Sequence, residues 1–371
     1  MAHVVNEITP AGKEMGIVKL LSNLDNKKFD CSLIVFQTTE QSRLVNVGNL
    51  PIILTSKKDG NDWQAPFKLC KIFKKSKFDI VHTHSWGTLI EGILGSKLAR
   101  VPIIIHNEHG SFPSKWYHKI LQRFFWNLSN RVLSVSQELK QRISQTTHFP
   151  ASRIDVILNG VKESNFFPSA TLRKQFRRKF NFSQEDFLIG TIGRFSEVKN
   201  QSMLLRAASE LIQKGDNIKI ILVSSGKKKE DLRLLSTSLG ISHFTHFLDI
   251  QMNVNMLLNG FDIFALTSFS EGCSNVIQEA MFCQKAIIAT DVGGNPELIQ
   301  DQYTGFLVES NNHEQLAQKL RLLKENPDLR EKLGKRAQQT AQENFTLTRM
   351  IQAYEKLYED EFNKKYLHLH N

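Results

Sequence analysis

Short apolar runs alternate with longer amphipathic stretches along almost the whole chain, and this alternation limits the folds that it can adopt. The runs at residues 219–224 (KIILVS) and 286–290 (AIIAT) are largely apolar, which is typical of parallel strands buried on both faces. Repeated strand–helix–strand units predict an α/β protein with parallel sheets. The predicted strands are residues 2–7, 31–37, 80–83, 103–107, 131–135, 155–158, 187–193, 219–224, 246–247, 263–266 and 286–290.

The length of the chain and a break near its middle indicate two domains. A chain of 371 residues is longer than one hydrophobic core usually organises. The segment 165–168 (NFFP) interrupts the alternation, and a strongly basic stretch follows it. We therefore place a first domain at residues 1–165, a second at residues 166–346, and a C-terminal helix after them.

Positive charge is concentrated in the first half of the chain. Residues 1–160 hold 21 Lys and Arg against 12 Asp and Glu, which accounts for most of the net charge of +11. Such a surface suits an anionic partner, which could be a nucleic acid, a phosphosugar or an anionic membrane, or it serves solubility alone. A nucleic-acid partner is disfavoured because no known binding module accompanies the charge.

Neither a membrane-spanning segment nor an export signal is expected. The sequence has no run of eighteen apolar residues, and its first residues enter a strand-like pattern without a basic region and a long apolar core. Cys31, Cys70, Cys273 and Cys283 show no C-x-x-C pair and no metal-ligand spacing. We therefore expect reduced thiols in a cytoplasmic protein.

Two glutamates frame a turn before a helical pattern in the second half. Glu271 lies in the turn, and Glu279 lies about one helical turn inside the pattern that starts at Asn275. Free N–H groups collect at a helix start and the carboxylates accept from hydroxyls, so the segment suits a polyhydroxylated ligand such as a sugar. The residues between Glu271 and Asn275 are Gly272, Cys273 and Ser274.

A loop with two cations follows the predicted strand 187–193. Gly190 and Gly193 let backbone approach a ligand, and Arg194 with Lys199 fits a diphosphate. The absence of a G-x-G-x-x-G or G-x-x-x-x-G-K-[ST] pattern argues against dehydrogenases and P-loop kinases. No Asp-x-Asp pair is present to hold a divalent metal over a diphosphate, so we expect a site without metal or other cofactor, in which the cations and helix-terminal amides neutralise the phosphates.

The loop after the predicted strand 286–290 carries two consecutive glycines. Gly293 and Gly294 allow a tight turn, and Pro296 suits the first position of a helix. A turn without a ligand role and a backbone contact to the ligand are both compatible with this pattern.

Histidines cluster near the ends of two predicted strands in the first half. His82 and His84 lie on one face of their strand by alternation, and His106 and His109 follow a little later. A metal site is disfavoured because no acidic or cysteine partner completes a ligand set. A general base or a hydrogen-bond donor to a phosphate or sugar is favoured instead, and His106 is expected to be simply packed.

Residues 115–126 (KWYHKILQRFFW) interleave aromatic side chains and cations. Helical spacing gathers Trp116, Ile120 and Phe124 on an apolar face, with Lys115 and Lys119 beside it. The pattern is typical of a helix at an anionic membrane surface and equally of a core helix with a solvated edge.

In this order the motifs resemble those of the retaining GT-B glycosyltransferases of family 4, and the resemblance covers nearly the whole chain. One motif alone would be weak, but the ordered set is specific. The matching segments are residues 79–84 (DIVHTH), 135–136 (VS), 159–161 (NGV), 193–200 (GRFSEVKN), 262 (D), 268–280 (SFSEGCSNVIQEA), 291–297 (DVGGNPE) and 304–305 (TG).

The resemblance implies an α/β GT-B fold, in which two facing Rossmann-like domains with parallel sheets enclose an interdomain cleft and the C-terminal helix 347–371 packs back on the first domain. It implies that Arg194 and Lys199 bind the donor diphosphate, that Glu271 binds the hydroxyls of the donor sugar, and that Glu279 binds the ribose. The implied donor-binding set is Gly12, Arg194, Lys199, Gly272, Cys273, Ser274, Asn275 and Glu279.

On the acceptor side the resemblance places His109 near the donor sugar and the acceptor, so His109 and Glu271 form the implied catalytic pair. Three departures from the family pattern stand out. Ala11-Gly12 replaces a Gly-Gly loop, residues 224–227 (SSGK) replace a Gly-x-Gly-Pro turn, and Gln284 replaces a glycine. None of them removes an implied catalytic residue.

The function implied is a metal-independent retaining glycosyltransferase in the cytoplasm, peripheral to the inner face of an anionic membrane. It would transfer a sugar from a UDP or GDP donor to a lipid-linked glycan or a surface polysaccharide. Two alternatives remain open at this point: an inactive GT-B subunit that regulates a partner enzyme, and a nucleotide-sugar epimerase.

Overall fold

The computed structural model describes residues 1–9, 12–57, 60, 62–110, 115–251 and 253–367, and these form two compact units. The first unit comprises Met1–Asn159 together with Thr348–Asn371, and the second comprises Gly160–Leu347. The division lies before the boundary predicted at residue 165. A backbone bridge ties Val161 to the second unit, because Val161 N donates to Phe345 O at 2.9 Å and Leu347 N donates to Val161 O at 2.8 Å.

The first unit is built on a parallel sheet of seven strands. Its strand order is β3-β2-β1-β4-β5-β6-β7. The strands are β1 (Ala2–Glu7), β2 (Ser32–Gln37), β3 (Ile52–Leu54), β4 (Ile80–His84), β5 (Ile103–Glu108), β6 (Arg131–Ser134) and β7 (Ile154–Val156). The helices are α1 (Gly12–Leu21), α2 (Ala65–Ser76), α3 (Trp86–Ala99), α4 (Trp116–Leu128) and α5 (Gln137–Thr147).

The second unit is built on a parallel sheet of six strands in the order β10-β9-β8-β11-β12-β13. The strands are β8 (Leu188–Ile192), β9 (Lys219–Val223), β10 (Thr245–Leu248), β11 (Ile263–Leu266), β12 (Ala286–Thr290) and β13 (Phe306–Val308). The helices are α6 (Ala170–Lys179), α7 (Gln201–Gln213), α8 (Lys229–Ser238), α9 (Val254–Gly260), α10 (Asn275–Phe282), α11 (Asn295–Leu298), α12 (His313–Glu325) and α13 (Pro327–Asn344).

The last helix, α14 (Leu347–Tyr366), belongs almost entirely to the first unit. Arg131 Nε donates to Glu361 Oε1 at 2.7 Å, and Asn107 Nδ2 donates to the Tyr354 hydroxyl at 2.9 Å. The Tyr358 side chain is fully buried among histidines of β1 and β4. A helix without a strand of its own therefore completes the core of the first unit.

The prediction of an α/β fold with parallel sheets is confirmed, and the eleven predicted strands are all present. Two strands were missed, β3 and β13, and both lie at the edge of their sheets. Each has only three residues, so period-two alternation has almost nothing to act on. The units thus match the expected pair of Rossmann-like folds.

Two positions in the second unit show how the backbone of this fold is constrained. A Cβ on Gly190 would lie 2.2 Å from the Phe261 ring, so core packing requires a glycine here, a reason that the sequence did not indicate. Gln284, which stands where the family has glycine, has a φ of +54°. The backbone after α10 therefore keeps the left-handed conformation that favours glycine, although glutamine occupies the position.

Candidate functional site

The turn that contains Glu271 follows β11 and is held by segments at the carboxyl ends of the two neighbouring strands. Phe269 N donates to Val198 O at 2.7 Å, and Thr290 Oγ1 donates to Ser268 O at 2.6 Å. These bonds join the turn to the loop after β8 and to the last residue of β12, and both strands flank β11 in the sheet. The carboxyl ends of three adjacent strands thereby define one small polar site.

Within this site the Lys199 side chain pairs with Glu271. Lys199 Nζ lies 2.5 Å from Glu271 Oε1, and the Ser268 hydroxyl donates to the same oxygen at 2.5 Å. The Glu271 side chain is only 10% exposed and that of Lys199 is 26% exposed. A charge-assisted pair of this kind gives both side chains a defined position before any ligand is bound.

Gly293 supports the Glu271 turn from the opposite side. Its φ is +54°, and a Cβ there would lie 2.0 Å from Glu271 O. The neighbouring Gly294 N donates to this same carbonyl oxygen at 3.3 Å. Gly293 is therefore a packing surface for the turn, a contact that neither interpretation of the double glycine included.

The other donor-side residues lie on the same loops or on the helix that follows. Glu279 is four residues inside α10 and half-buried, as its spacing predicts. The Arg194 side chain follows β8 and is exposed. The turn from Glu271 to the start of α10 contains Gly272, Cys273 and Ser274, followed by Asn275 at the first helical position.

His109 and Gly12 lie in the first unit. Gly12 is exposed and begins α1, whereas the adjacent Ala11 of the predicted glycine loop lies outside the described residues. His109 follows β5, and its Nε2 lies 3.1 Å from His84 Nδ1. Burial of the imidazole lowers the pKa of His109 to about 3, with further lowering by Lys13 and His106. A neutral imidazole with so low a pKa is a weak proton acceptor.

Three further histidines surround this position. The ligand nitrogens of His3, His82 and His84 lie within 4.8 Å of one another, a spacing that a metal ion could use. Both ring nitrogens of His3 and of His84 already have hydrogen-bond partners, however. The three imidazoles belong to one hydrogen-bonded network that also includes Tyr358 and His109.

His106 is buried and packed, as predicted for it from the sequence. Its Nδ1 lies 2.8 Å from the Thr83 hydroxyl, and its Nε2 lies 3.0 Å from Glu108 Oε1. The contribution of His3 and Tyr358 was missed. His3 is opposite His82 in the register of β1 and β4, but Tyr358 comes from a helix more than 270 residues away, so only the fold brings it there.

Helix α4 presents one apolar stripe to solvent. Trp116 is 72% exposed, Ile120 59% and Phe124 55%, and these residues follow one another at four-residue spacing. Phe125 and Trp126 are buried, so α4 has both a core-facing side and the exposed stripe. Lys115 and Arg123 are exposed beside the stripe.

None of the helices in the described part of the chain combines the length and the apolar character that crossing a bilayer requires.

Two family models match consecutive parts of the chain. The model described as Glycosyltransferase Family 4 matches residues 10–165, and the model described as Glycosyl transferases group 1 matches residues 173–340. Together they cover most of each structural unit, including the turn that carries Glu271 but not α14.

Characterised relatives resemble the chain over most of its length. One is the UDP-Gal:alpha-D-GlcNAc-diphosphoundecaprenol alpha-1,3-galactosyltransferase of Escherichia coli, which is 27% identical over 78% of each chain. Another is the N-acetyl-alpha-D-glucosaminyl L-malate synthase of Bacillus anthracis, which is 28% identical over 79% of this chain and 77% of its own.

Solved structures share the fold. The Anabaena protein HepE in complex with UDP and glucose superposes with a TM-score of 0.87 at 20% identity, over 96% of this chain and 98% of its own. A glycosyltransferase from Rickettsia africae superposes with a TM-score of 0.86 at 23% identity, over 97% and 98% of the two chains.

Proposed function

The chain belongs to glycosyltransferase family 4 and has the GT-B fold, and on this basis we propose that it is a retaining, metal-independent transferase for a lipid-linked glycan or a surface polysaccharide. It is a transferase that acts on nucleotide sugars. The observation that carries the finer proposal is the Lys199–Glu271 pair, fixed in the turn before α10. This arrangement joins one cation and one carboxylate at the start of a helix.

The pair suits a donor that has both phosphates and sugar hydroxyls. Glu271 can accept hydrogen bonds from hydroxyls of the donor sugar, while Lys199 can turn toward an incoming diphosphate. Backbone amides at the start of α10 add partial positive charge for oxygens of the donor. The exposed Arg194 brings a bidentate guanidinium to the same loop as Lys199.

Charge neutralisation is also the reason for proposing metal independence. As the bond to the sugar breaks, negative charge develops on the leaving diphosphate, and fixed cations stabilise it without a metal. Lys199 and Arg194 provide two such cations on one loop. Retention is proposed because the residues match a retaining family, with Glu271 orienting the sugar and Glu279 the ribose.

The nucleotide ligands and substrates of similar proteins favour a UDP-sugar donor over a GDP-sugar donor. HepE was solved with UDP and with UDP-glucose, and the Escherichia coli relative uses UDP-Gal. The acceptor of that relative is a sugar on diphosphoundecaprenol, so we propose a lipid-linked acceptor of this kind. Such a substrate is held in a membrane by its lipid part.

The exposed stripe on α4 supports peripheral binding at such a membrane. Trp116, Ile120 and Phe124 offer an apolar edge, and the cations beside them offer charge complementarity to anionic lipid headgroups. The excess of positive charge in residues 1–160 would also attract this unit to anionic lipid headgroups.

The test begins with a thermal-shift screen of UDP- and GDP-sugars, followed by transfer assays with the stabilising donor and a sugar-diphosphoundecaprenol acceptor. We expect transfer in the presence of EDTA, with the anomeric configuration of the donor retained in the product by NMR. Glu271→Gln should lose transfer, whereas Glu331→Gln, the same change at an exposed position on α13, should retain it. Full transfer by Glu271→Gln would refute the site, and loss of transfer in EDTA would refute metal independence.

A further inference from the structure

Five side chains of the first unit form one continuous hydrogen-bonded chain that ends at His109. The Tyr358 hydroxyl joins His82 Nδ1 at 2.9 Å to His3 Nε2 at 3.3 Å. His3 Nδ1 lies 2.9 Å from His84 Nε2, and His84 Nδ1 lies 3.1 Å from His109 Nε2. His3 and Tyr358 are fully buried, so the chain has almost no access to solvent before it reaches His109.

A chain of this kind has a single polarity. A neutral imidazole carries one N–H donor and one acceptor nitrogen, and a hydroxyl donates one hydrogen bond while it accepts another. The donor-to-acceptor direction of one hydrogen bond therefore sets the direction of every other hydrogen bond in the chain. Only two states are therefore available: all four histidines carry the proton on Nδ1, or all four carry it on Nε2.

The far end of the chain distinguishes these two states. His82 Nε2 is buried and has no hydrogen-bond partner. In the Nε2–H state this atom would be an orphaned buried donor, whereas in the Nδ1–H state it is an unpaired buried acceptor. Orphaned donors are the rarer of the two in proteins, which favours the Nδ1–H state along the whole chain.

We propose that the chain His82–Tyr358–His3–His84 fixes His109 as the Nδ1–H tautomer, so that His109 presents a hydrogen-bond donor to substrate and not a base. The reason is geometric. His109 Nε2 is occupied as the acceptor of His84 Nδ1–H, and Nδ1 is the ring nitrogen left for a ligand. His3, His82, His84 and Tyr358 are then positioning residues.

The electrostatics of the cluster agree with four neutral rings. Burial lowers the pKa of His3 to about 3 and those of His82 and His84 well below the usual value. Neighbouring histidines lower the pKa values of His82 and His84 further. The donor role of His109 rests on the proposed function, because an N–H at this position serves an oxygen of the sugar, the phosphate or the acceptor. The tautomer itself does not depend on that function.

The direct test is the tautomeric state of the histidines in the intact protein. Long-range ¹H–¹⁵N correlation spectra of ¹⁵N-histidine-labelled protein distinguish Nδ1–H from Nε2–H rings, and single His→Gln variants assign the signals. We expect His3, His82, His84 and His109 all to be Nδ1–H near neutral pH. An Nε2–H signal for His109 in the native protein would overturn the proposal, whether or not any variant folds.

Two matched variants on β4 test whether the chain causes this state. His84→Phe removes the donor to His109, so the ring of His109 should become a mixture of both tautomers. His82→Phe makes the same change in the same stack of rings, whose centroids are 4.3 Å apart. It leaves the links from Tyr358 to His109 in place, and the Tyr358 hydroxyl becomes the far end of the chain. In the Nε2–H state that buried O–H would be the orphaned donor, so His109 should remain Nδ1–H. An unchanged His109 signal in His84→Phe would show that the chain does not set its tautomer.

Activity separates this inference from the proposed function. If no nucleotide sugar is transferred but the Nδ1–H pattern is found, the proposed function fails and the tautomer assignment stands. If transfer occurs and His109 is Nε2–H, the reverse holds. With both correct, His84→Phe should lower kcat at least tenfold more than His82→Phe.

Discussion

Lys199 and Glu271 are 72 positions apart in the sequence, yet their side chains meet as an ion pair, with Lys199 Nζ 2.5 Å from Glu271 Oε1. The strand order explains the contact, because β8 and β11 are neighbours in the sheet and their following loops leave from the same edge. The two residues that we propose to bind the diphosphate and the sugar are therefore paired before any ligand binds.

The first prediction concerns the coupling of this pair. Lys199→Met and Glu271→Gln should each lower transfer by roughly 100-fold or more, because each removes a preorganised charge from the site. The double variant should lose much less than the product of the two single losses, since residues that contact one another are not additive. The measurement is a double-mutant cycle on kcat/KM, and strictly additive losses would contradict the coupling.

The second prediction concerns Gly293 as the support of the Glu271 turn. Gly293→Ala should weaken donor binding by about tenfold or more, because its Cβ would lie 2.0 Å from Glu271 O and must displace the turn. Gly215→Ala is the matched control, since Gly215 also has a positive φ of +89° but has open space around its Cβ position.

Both glycine variants should lose about 1 kcal/mol of stability from backbone strain alone. Donor affinity, measured by calorimetry with the nucleotide sugar found in the screen, should fall only in Gly293→Ala. Equal affinities of the two variants would mean that the turn does not depend on Gly293.

The parallel sheets and the residue types of the site could be predicted from the sequence, but the contacts between these residues could not. The hydrophobic period predicts each strand from local sequence, whereas the strand order is set by packing of the complete sheet. Lys199 could therefore be predicted to bind a diphosphate, but its ion pair with Glu271 could not be predicted. The role of Gly293 was missed for the same reason.

In the histidine chain, too, the local pattern could be predicted from the sequence but the long-range contact could not. His82 and His84 could be placed on one face by alternation, and their rings do stack. Tyr358 reaches them only because α14 returns to the first unit, and no local pattern in the sequence indicates which residue of that helix lies opposite His82.

The third prediction is that the first unit loses stability as the pH falls below about 6.5. His3 has a usual pKa of 6.5 and a folded pKa of about 3, so between these values the unfolded chain binds a proton that the folded unit does not. The contribution is complete above pH 6.5 and is lost progressively toward pH 3. At pH 5 the cost of His3 alone is about 2 kcal/mol.

Tryptophan fluorescence during urea unfolding can follow this unit, because all four tryptophans of the chain lie within residues 1–159. His3→Gln should reduce the dependence of stability on pH by up to about 1.4 kcal/mol per pH unit, the value for one proton. His243→Gln, at an exposed position of the second unit, should leave the dependence unchanged. A flat pH profile in the native protein would show that these histidines are not buried as neutral groups.

The fourth prediction concerns the α4 stripe. Trp116→Ser combined with Ile120→Ser should lower binding to vesicles of anionic phosphatidylglycerol, because both side chains are more than half exposed and would enter the apolar edge of the bilayer. A loss of roughly 2 kcal/mol, from the apolar area no longer buried, corresponds to about a 30-fold weaker association. Leu234→Ser is the control, because Leu234 is 64% exposed but lies on α8 of the second unit.

Cosedimentation should also weaken with added salt and with neutral phosphatidylcholine, since the adjacent Lys115 and Arg123 contribute by charge. Equal binding of the α4 variant and the native protein would locate any membrane contact elsewhere.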